Sequence, residues 1–149
     1  MENPGQIAPR YRNEDVAREL FEKARWPDGT VCPHCGARKR ASKLESRPDS
    51  KRPVRRGVWQ CNRCRKQFTV TVGTIFEDSH VPLQKWLLAI HLMASSREGI
   101  SAHRLMRELG LGSYRTARLM VRRVRWALEQ DPIKGNTQWR TRKLRLPWL

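Results

Sequence analysis

This sequence has few acidic residues, no long apolar run and only four cysteines. Its 31 Lys and Arg residues stand against 14 Asp and Glu, for a formal net charge of +17. A basic excess of that size favours polyanionic partners, nucleic acid first. No apolar stretch approaches the ~18 residues of a membrane-spanning helix, and residues 1–5 lack the features of a secretory signal. We therefore expect a cytoplasmic, nucleoid-associated protein with no membrane partner.

The basic excess is concentrated in three parts of the chain. Residues 32–72 hold 12 Lys or Arg against two Asp or Glu, residues 100–130 hold seven against two, and residues 131–149 hold five against one. Residues 1–31 and 73–99 are nearly neutral, as scaffolding would be. A membrane-surface protein would instead carry one basic amphipathic helix with an exposed apolar face. The observed distribution favours double-stranded DNA.

The cysteines form two Cys-x-x-Cys pairs, Cys32 with Cys35 and Cys61 with Cys64. Two such pairs supply the four thiolates of a closed tetrahedral zinc site. Gly36 follows the first pair, where a tight turn often needs a positive φ that glycine adopts without steric cost. The spacing therefore predicts one structural Zn²⁺ in a zinc ribbon.

Two disulfides are the alternative use of four cysteines. They are disfavoured because the chain shows no secretory signal and the pairing suits a reducing compartment. A thioredoxin-like redox site needs only one pair, in a βαβ context that the sequence lacks. No histidine is assigned to the metal, because four thiolates already fill tetrahedral zinc.

Local patterns predict the elements around the zinc ligands. Asn13 is placed to cap a helix from Glu14 to Arg25. The helix has an apolar face at helical spacing, made by Val16, Ala17, Leu20, Phe21 and Ala24. The β-branched run 67–72 predicts a strand that closes a small antiparallel sheet.

Residues 37–58, between the two cysteine pairs, are interpreted as a ribbon arm interrupted by a polar loop. One interpretation is a solvated, mobile loop. The other is a basic arm on DNA phosphates, which adds affinity without reading sequence. The basic residues assigned to DNA in this arm are Arg38, Lys39, Arg40, Arg55 and Arg56.

The second half of the chain predicts a helix-turn-helix. The segment from Leu83 to Ser95 is apolar almost all round, which indicates a buried helix, and Pro82 is placed to open its first turn. Ser101 can cap a short helix from Ala102 to Leu109. A turn at residues 110–113 then leads into a long helix from Tyr114 to about Gln130.

The long helix has a predicted core face and a basic flank. At about 100° per residue the core face comprises Ala117, Met120, Val121, Val124, Ala127 and Leu128. DNA contact is assigned to Ser113, Tyr114, Arg115, Arg118, Arg122 and Arg125, the first four reaching base edges. A solvated arginine face is the alternative. Leu119 and Trp126 lie beside the arginines and are candidate partner contacts.

These patterns predict a small metal-bound α+β fold. Its expected parts are an N-terminal helix and lead-in over 1–31, a four-cysteine zinc ribbon over 32–76, a three-helix helix-turn-helix bundle over 77–130, and a basic tail over 131–149. The sequence is compatible with a monomer or a homodimer.

Several motifs in combination resemble one protein family over about Asp15 to Leu128. They are Arg25-Trp-Pro-Asp-Gly29, Cys32-Pro-His-Cys-Gly36, the run from Phe68 to Ser96, Gly99-Ile-Ser-Ala102 and Tyr114-Arg-Thr-Ala-Arg118. The chain is similar in these motifs to bacterial insertion-sequence transposases that begin with a zinc ribbon. The resemblance implies a DNA-binding ribbon and helix-turn-helix that precede a catalytic RNase H-like domain.

The sequence departs from that family after the long helix. The catalytic domain of such transposases uses three carboxylates to hold two divalent metal ions, whereas Asp131 is the only acid after Glu129 here. We therefore expect a non-enzyme, either a regulator or inhibitor at transposon ends or the recognition subunit of a catalytic transposase. The alternative is an adaptor that docks on a larger nucleoprotein machine, such as a transposase or an RNA-guided effector.

Overall fold

The computed structural model describes residues 13–96 and 98–129. Their four helices and three short strands form the expected small α+β fold. The helices are α1 Glu14–Arg25, α2 Leu83–Ser95, α3 Ala102–Glu108 and α4 Tyr114–Glu129, and the strands are β1 Ala41–Lys43, β2 Trp59–Cys61 and β3 Gln67–Phe68. The expected tail over 131–149 lies outside the described residues.

The described residues fall into two compact units. One is Arg18–Asp78, and the other comprises residues 13–17 and 79–129. The first unit holds the antiparallel sheet, in the order β1-β2-β3. The second unit holds α2, α3 and α4, in which α4 packs against both α2 and α3. The four-part domain division predicted from the sequence stays a prediction.

Helix α1 has the predicted bounds and the predicted cap, since the Asn13 side-chain oxygen accepts the Asp15 N–H at 2.8 Å. Ala17 and Phe21 of its expected apolar face are buried, but Val16 is 38% exposed. The described residues therefore cover a narrower stripe of this helix than its whole apolar face.

The strand predicted over residues 67–72 ends at Phe68 in the structure. Beyond it the chain turns, and the threonine hydroxyls make local bonds that compete with a sheet ladder. Thr69 Oγ1 lies 2.7 Å from Thr71 Oγ1, and Thr74 Oγ1 donates to the Thr71 carbonyl at 2.6 Å. The strand forecast was wrong because β-propensity does not register these local bonds.

Buried Arg25 ties the end of α1 to this turn. Its Nη1 donates to the Val70 carbonyl at 2.7 Å. Burial lowers the pKa of Arg25 to about 10, against the opposing charge of Glu77, so the side chain stays charged at neutral pH. The neighbouring Trp26 packs edge-on against Trp59 and Phe68. The Arg-Trp pair thus joins helix, sheet and turn in one core.

Helix α2 begins at Leu83, with Pro82 one residue earlier, at the N-cap instead of in the first turn. Proline offers no capping oxygen, and the Glu14 carboxylate takes that role. Glu14 Oε1 accepts the Leu83 N–H at 2.9 Å, and Oε2 accepts the Gln84 N–H at 3.1 Å. A carboxylate at this end also faces the positive end of the helix dipole.

The helix-turn-helix is formed as predicted. Ser101 caps α3 by accepting the Arg104 N–H at 3.2 Å, and α3 ends at Glu108 with Leu109 as its C-cap, one residue earlier than expected.

The predicted core face of α4 is largely buried, as Ala117, Met120, Val121 and Val124 show. Ala127 is exposed, so its place on the core face was wrong: the buried stripe stops one turn earlier. The Leu128 side chain and Gln130 lie outside what the structure describes.

Candidate metal centre and nucleic-acid surfaces

The two cysteine pairs sit on matching turns. The Gly36 N–H donates to the Cys32 carbonyl, and the Arg65 N–H donates to the Cys61 carbonyl, both at 2.9 Å. The residue after each pair has a left-handed backbone, with φ of 71° at Gly36 and 63° at Arg65. This geometry turns both sulfurs of a pair toward one point. The expectation of a positive φ at Gly36 is confirmed, and Arg65 adopts the same conformation with a side chain.

The four sulfur atoms lie within 4.8 Å of one another. Cys32 Sγ is 3.7 Å from Cys64 Sγ, and Cys35 Sγ is 3.6 Å from Cys61 Sγ. A tetrahedron with zinc–sulfur bonds of about 2.3 Å has edges of about 3.8 Å, so the donor set fits Zn²⁺. All four cysteines are free in the structure, and these two separations are well beyond the about 2.05 Å of a disulfide bond.

Backbone groups and burial prepare the thiols unequally. Hydrogen bonds from the backbone of Cys64 and Arg63 lower the pKa of Cys61, while burial raises the pKa of Cys32. Four cysteines would hold the ion as thiolates and leave no open coordination position, which is the pattern of a structural site. The ion would therefore have a structural role, which is to join the two cysteine turns.

The arm between the cysteine pairs is folded onto itself. The Val54 N–H donates to Ser46 Oγ at 2.6 Å, Ser46 Oγ donates to the Val54 carbonyl at 3.2 Å, and the Leu44 N–H donates to the Val58 carbonyl at 2.9 Å. The structure thus gives this arm defined contacts, whereas the sequence left open a solvated loop. Its side chains assigned to DNA are all exposed, namely Arg38, Lys39, Arg40, Arg55 and Arg56.

All residues assigned to DNA contact on α4 and just before it are exposed. They are Ser113, just before the helix, and Tyr114, Arg115, Arg118, Arg122 and Arg125 within it. The ribbon residues that were assigned to DNA from the sequence lie in the other compact unit. Leu119 and Trp126 are 45% and 54% exposed. The structure thus keeps both outside the core, as the sequence predicted.

One aromatic contact beside α4 was not predicted from the sequence. The His103 and Tyr114 rings meet edge to face, with centroids 4.2 Å apart. His103 lies on α3 and Tyr114 opens α4, so this contact holds the ring at the start of the long helix. The contact could not be predicted from sequence spacing, because His103 and Tyr114 lie on different helices that meet only through the turn at 110–113.

Part of the chain matches a known domain family. Residues 12–67 match the family described as the transposase zinc-ribbon domain. This match confirms the family resemblance that the motifs indicated. Together with the four-sulfur cluster, it also confirms the predicted zinc cofactor.

A relative from a mobile element extends the similarity beyond the ribbon. Over 119 residues, covering 80% of this chain, the sequence is 33% identical to "Uncharacterized protein in transposable element ISH50" of Halobacterium salinarum. The alignment covers 37% of that relative, so the chain spans well under half of its length. No solved structure matches the chain. In the two described stretches, 13–96 and 98–129, no helix is both long and apolar enough to cross a membrane.

Proposed function

We propose that these residues form the DNA-recognition part of a transposase-related protein. The supporting observation is the arrangement of α4, which buries Ala117, Met120 and Val124 while exposed arginines line its flank. In a helix-turn-helix the second helix lies in the major groove, and the residues at its N-terminus contact base edges. Tyr114, Arg115 and Arg118 occupy those positions here.

The electrostatics of this helix favour DNA over a solvated surface. Residues 100–130 hold seven Lys or Arg against two Asp or Glu, so few i,i+4 acid partners are available to the arginines. One ion pair on α3 joins Arg104 and Glu108 at 3.9 Å. The exposed arginines of α4 would therefore bind phosphates and guanine edges, and the ribbon arm would add phosphate contacts.

The proposal assigns recognition, and no strand-transfer chemistry, to these residues. The family match covers a zinc ribbon, and the metal-ligand cluster found among the described residues consists of thiols. Transposase chemistry needs convergent carboxylates on two metal ions. The protein would occupy transposon-end or regulatory DNA in the cytoplasm, as regulator, inhibitor or recognition subunit beside a catalytic partner. Strand transfer or nicking by the purified chain with Mg²⁺ would contradict this assignment.

Selection of bound duplexes from a random DNA pool at two salt concentrations tests the proposal. We expect an enriched motif that survives the higher salt, and altered base preferences for Arg115→Ala or Arg118→Ala. Arg104→Ala, on the exposed side of α3, is the matched arginine control and should keep the motif. Binding without a motif, which collapses with salt, would reduce the role of α4 to phosphate contact.

The exposed apolar pair on α4 favours a second candidate, an adaptor function. Leu119 and Trp126 are seven residues apart, so they share one side of the helix, and both are largely exposed. Trp and Arg are favoured anchors of protein interfaces. If a transposase or another nucleoprotein docks there, Trp126→Ala should abolish that binding and leave DNA affinity nearly unchanged. A loss of DNA affinity instead would place Trp126 in the DNA surface.

A further inference from the structure

The zinc-ribbon sheet has two chemically different faces. Antiparallel pairing sets Ser42 opposite Gln60, and Gln60 opposite Gln67, so these three side chains share one face. The residues on either side of them point the other way, where Trp59 and Phe68 pack against Trp26. One face is therefore the ribbon core, and the other is polar.

Asn62 extends the polar face by one residue. Its backbone N–H donates to the Arg40 carbonyl at 2.7 Å, and its Nδ2 donates to Ser42 Oγ at 3.2 Å. We call Ser42, Gln60, Asn62 and Gln67 the amide face. Gln60 is half-exposed and the other three are exposed, so the face is open to a ligand.

The amides of this face are partly held in place and keep unused hydrogen-bonding capacity. Gln60 Nε2 donates to the Arg65 carbonyl at 3.2 Å. Since a side-chain amide has two N–H donors and an acceptor oxygen, Gln60 retains one donor and its oxygen after this bond. The same count holds for Asn62 after its bond to Ser42. A donor and an acceptor on one amide are what a bidentate contact with an adenine edge needs.

Basic residues frame the amide face at both ends of its strands. Arg40, Arg65 and Lys66 lie at the end near the cysteine turns, where β1 and β3 start and β2 ends. At the other end the chain passes into the arm that carries Arg47, Arg52 and Arg55. Residues 37–66 hold 12 Lys or Arg against two acids, Glu45 and Asp49, both in the arm. In a DNA groove, base edges lie between two anionic phosphate backbones. Amides between two basic borders are complementary to that arrangement.

The size of the sheet also suits the major groove. Three strands at about 4.8 Å spacing span about 10 Å, and the major groove is about 12 Å wide and admits strands as well as helices. We infer that the amide face of the ribbon reads bases in the major groove of double-stranded DNA, with a preference for adenine. The ribbon is then a second sequence-reading element, and the DNA site has two separate segments.

The inference rests on the proposed function, and paired variants keep the two distinguishable. Gln60→Met with Gln67→Met removes two amides without changing charge or size, and Lys66→Met removes one charge beside them. Each protein is first checked for one zinc per chain and an unchanged circular dichroism spectrum. Duplexes are then selected from the random pool by the wild-type chain, by both ribbon variants and by Arg115→Ala.

We expect a wild-type motif in two segments. The Gln60/Gln67 double variant should lose the adenine preference in one segment by about fivefold or more, with an unchanged salt dependence of affinity. Lys66→Met should weaken binding to all sequences and lower the salt slope by about one. Arg115→Ala should alter only the other segment.

Three results would overturn the inference. If the double variant keeps the full motif while Arg115→Ala changes it, the amide face reads no bases and the proposed function stands. If the double variant weakens all sequences equally, the face contacts only the DNA backbone. If the wild-type chain selects no motif at either salt concentration, the proposed function fails and the inference fails with it.

Discussion

A single buried arginine shows how one side chain stabilises the ribbon unit. Arg25 is 9% exposed and donates to the Val70 carbonyl at 2.7 Å. Burying its charge costs free energy, as the lowered pKa indicates. The charge-assisted hydrogen bond offsets that cost and satisfies a carbonyl in a turn that has left the sheet ladder.

Arg25→Met should destabilise the ribbon unit by about 1–3 kcal/mol, because the Val70 carbonyl loses its donor. Urea denaturation of the zinc-loaded protein measures the change. Arg104→Met is the matched control at an exposed position, and it should change the free energy of unfolding by less than about 0.5 kcal/mol. Equal effects of the two variants would show that the hydrogen bond of Arg25 adds nothing to stability.

The two cysteine turns differ at one residue, and this difference is testable. Gly36 and Arg65 both have positive φ, which costs a residue with a side chain about 1–2 kcal/mol. Arg65→Gly relieves this strain but raises the conformational entropy of the unfolded chain. The net effect should be to stabilise the zinc-loaded protein by about 0.5–1 kcal/mol. Thermal unfolding measures the shift, and Gly36→Ala should move the midpoint in the opposite direction. A lower midpoint for Arg65→Gly would contradict the strain argument.

At the scale of elements, local signals predicted most helix boundaries correctly and failed where distant residues decide. Helix α1 and the cap at Ser101 follow from capping residues beside each element, and the bounds of α2 follow from its own apolar run. The cap of α2 comes from Glu14, nearly 70 residues earlier. Likewise, the end of β3 depends on threonine bonds and on Arg25. Such contacts leave no periodic mark in the sequence.

Glu14→Ala should destabilise the helical unit by about 1–2 kcal/mol, because two N–H groups at the start of α2 lose their acceptor and the dipole loses a carboxylate. Chemical denaturation followed by helix circular dichroism gives the value. Glu19→Ala removes an exposed acid from the same helix α1 and is the control, with an expected change below about 0.5 kcal/mol. If the two substitutions prove equivalent, Glu14 does not cap α2 in solution.

At the scale of the whole molecule, the metal site was the part of the function most accessible from sequence. Zinc ligation depends on residue type and spacing, and the sulfur separations agree with the expected tetrahedron. The amide face was missed, because it appears only once β1, β2 and β3 are in register. DNA contact by the exposed arginines of α4 stays a prediction from helical periodicity, and their exposure is consistent with it.

The division into two compact units predicts how the protein responds to loss of zinc. The cysteines all lie in Arg18–Asp78, where a bound Zn²⁺ would join the two cysteine turns, so metal binding there supplies folding energy. Cys61→Ser, or a strong chelator, should unfold the ribbon. Helices α2, α3 and α4, packed around Trp86, Leu105 and Met120, should keep their structure.

Hydrogen exchange read by mass spectrometry separates the two responses. Protection should be lost over residues 26–78 and retained over 83–127 after zinc removal. Arg63→Ser, at an exposed position in the same turn as Cys61, should keep one zinc per chain and full protection. A metal-free protein that stays folded in both regions would show that the ribbon does not depend on the ion. Collapse of both regions would show instead that the helical unit needs the ribbon for its own stability.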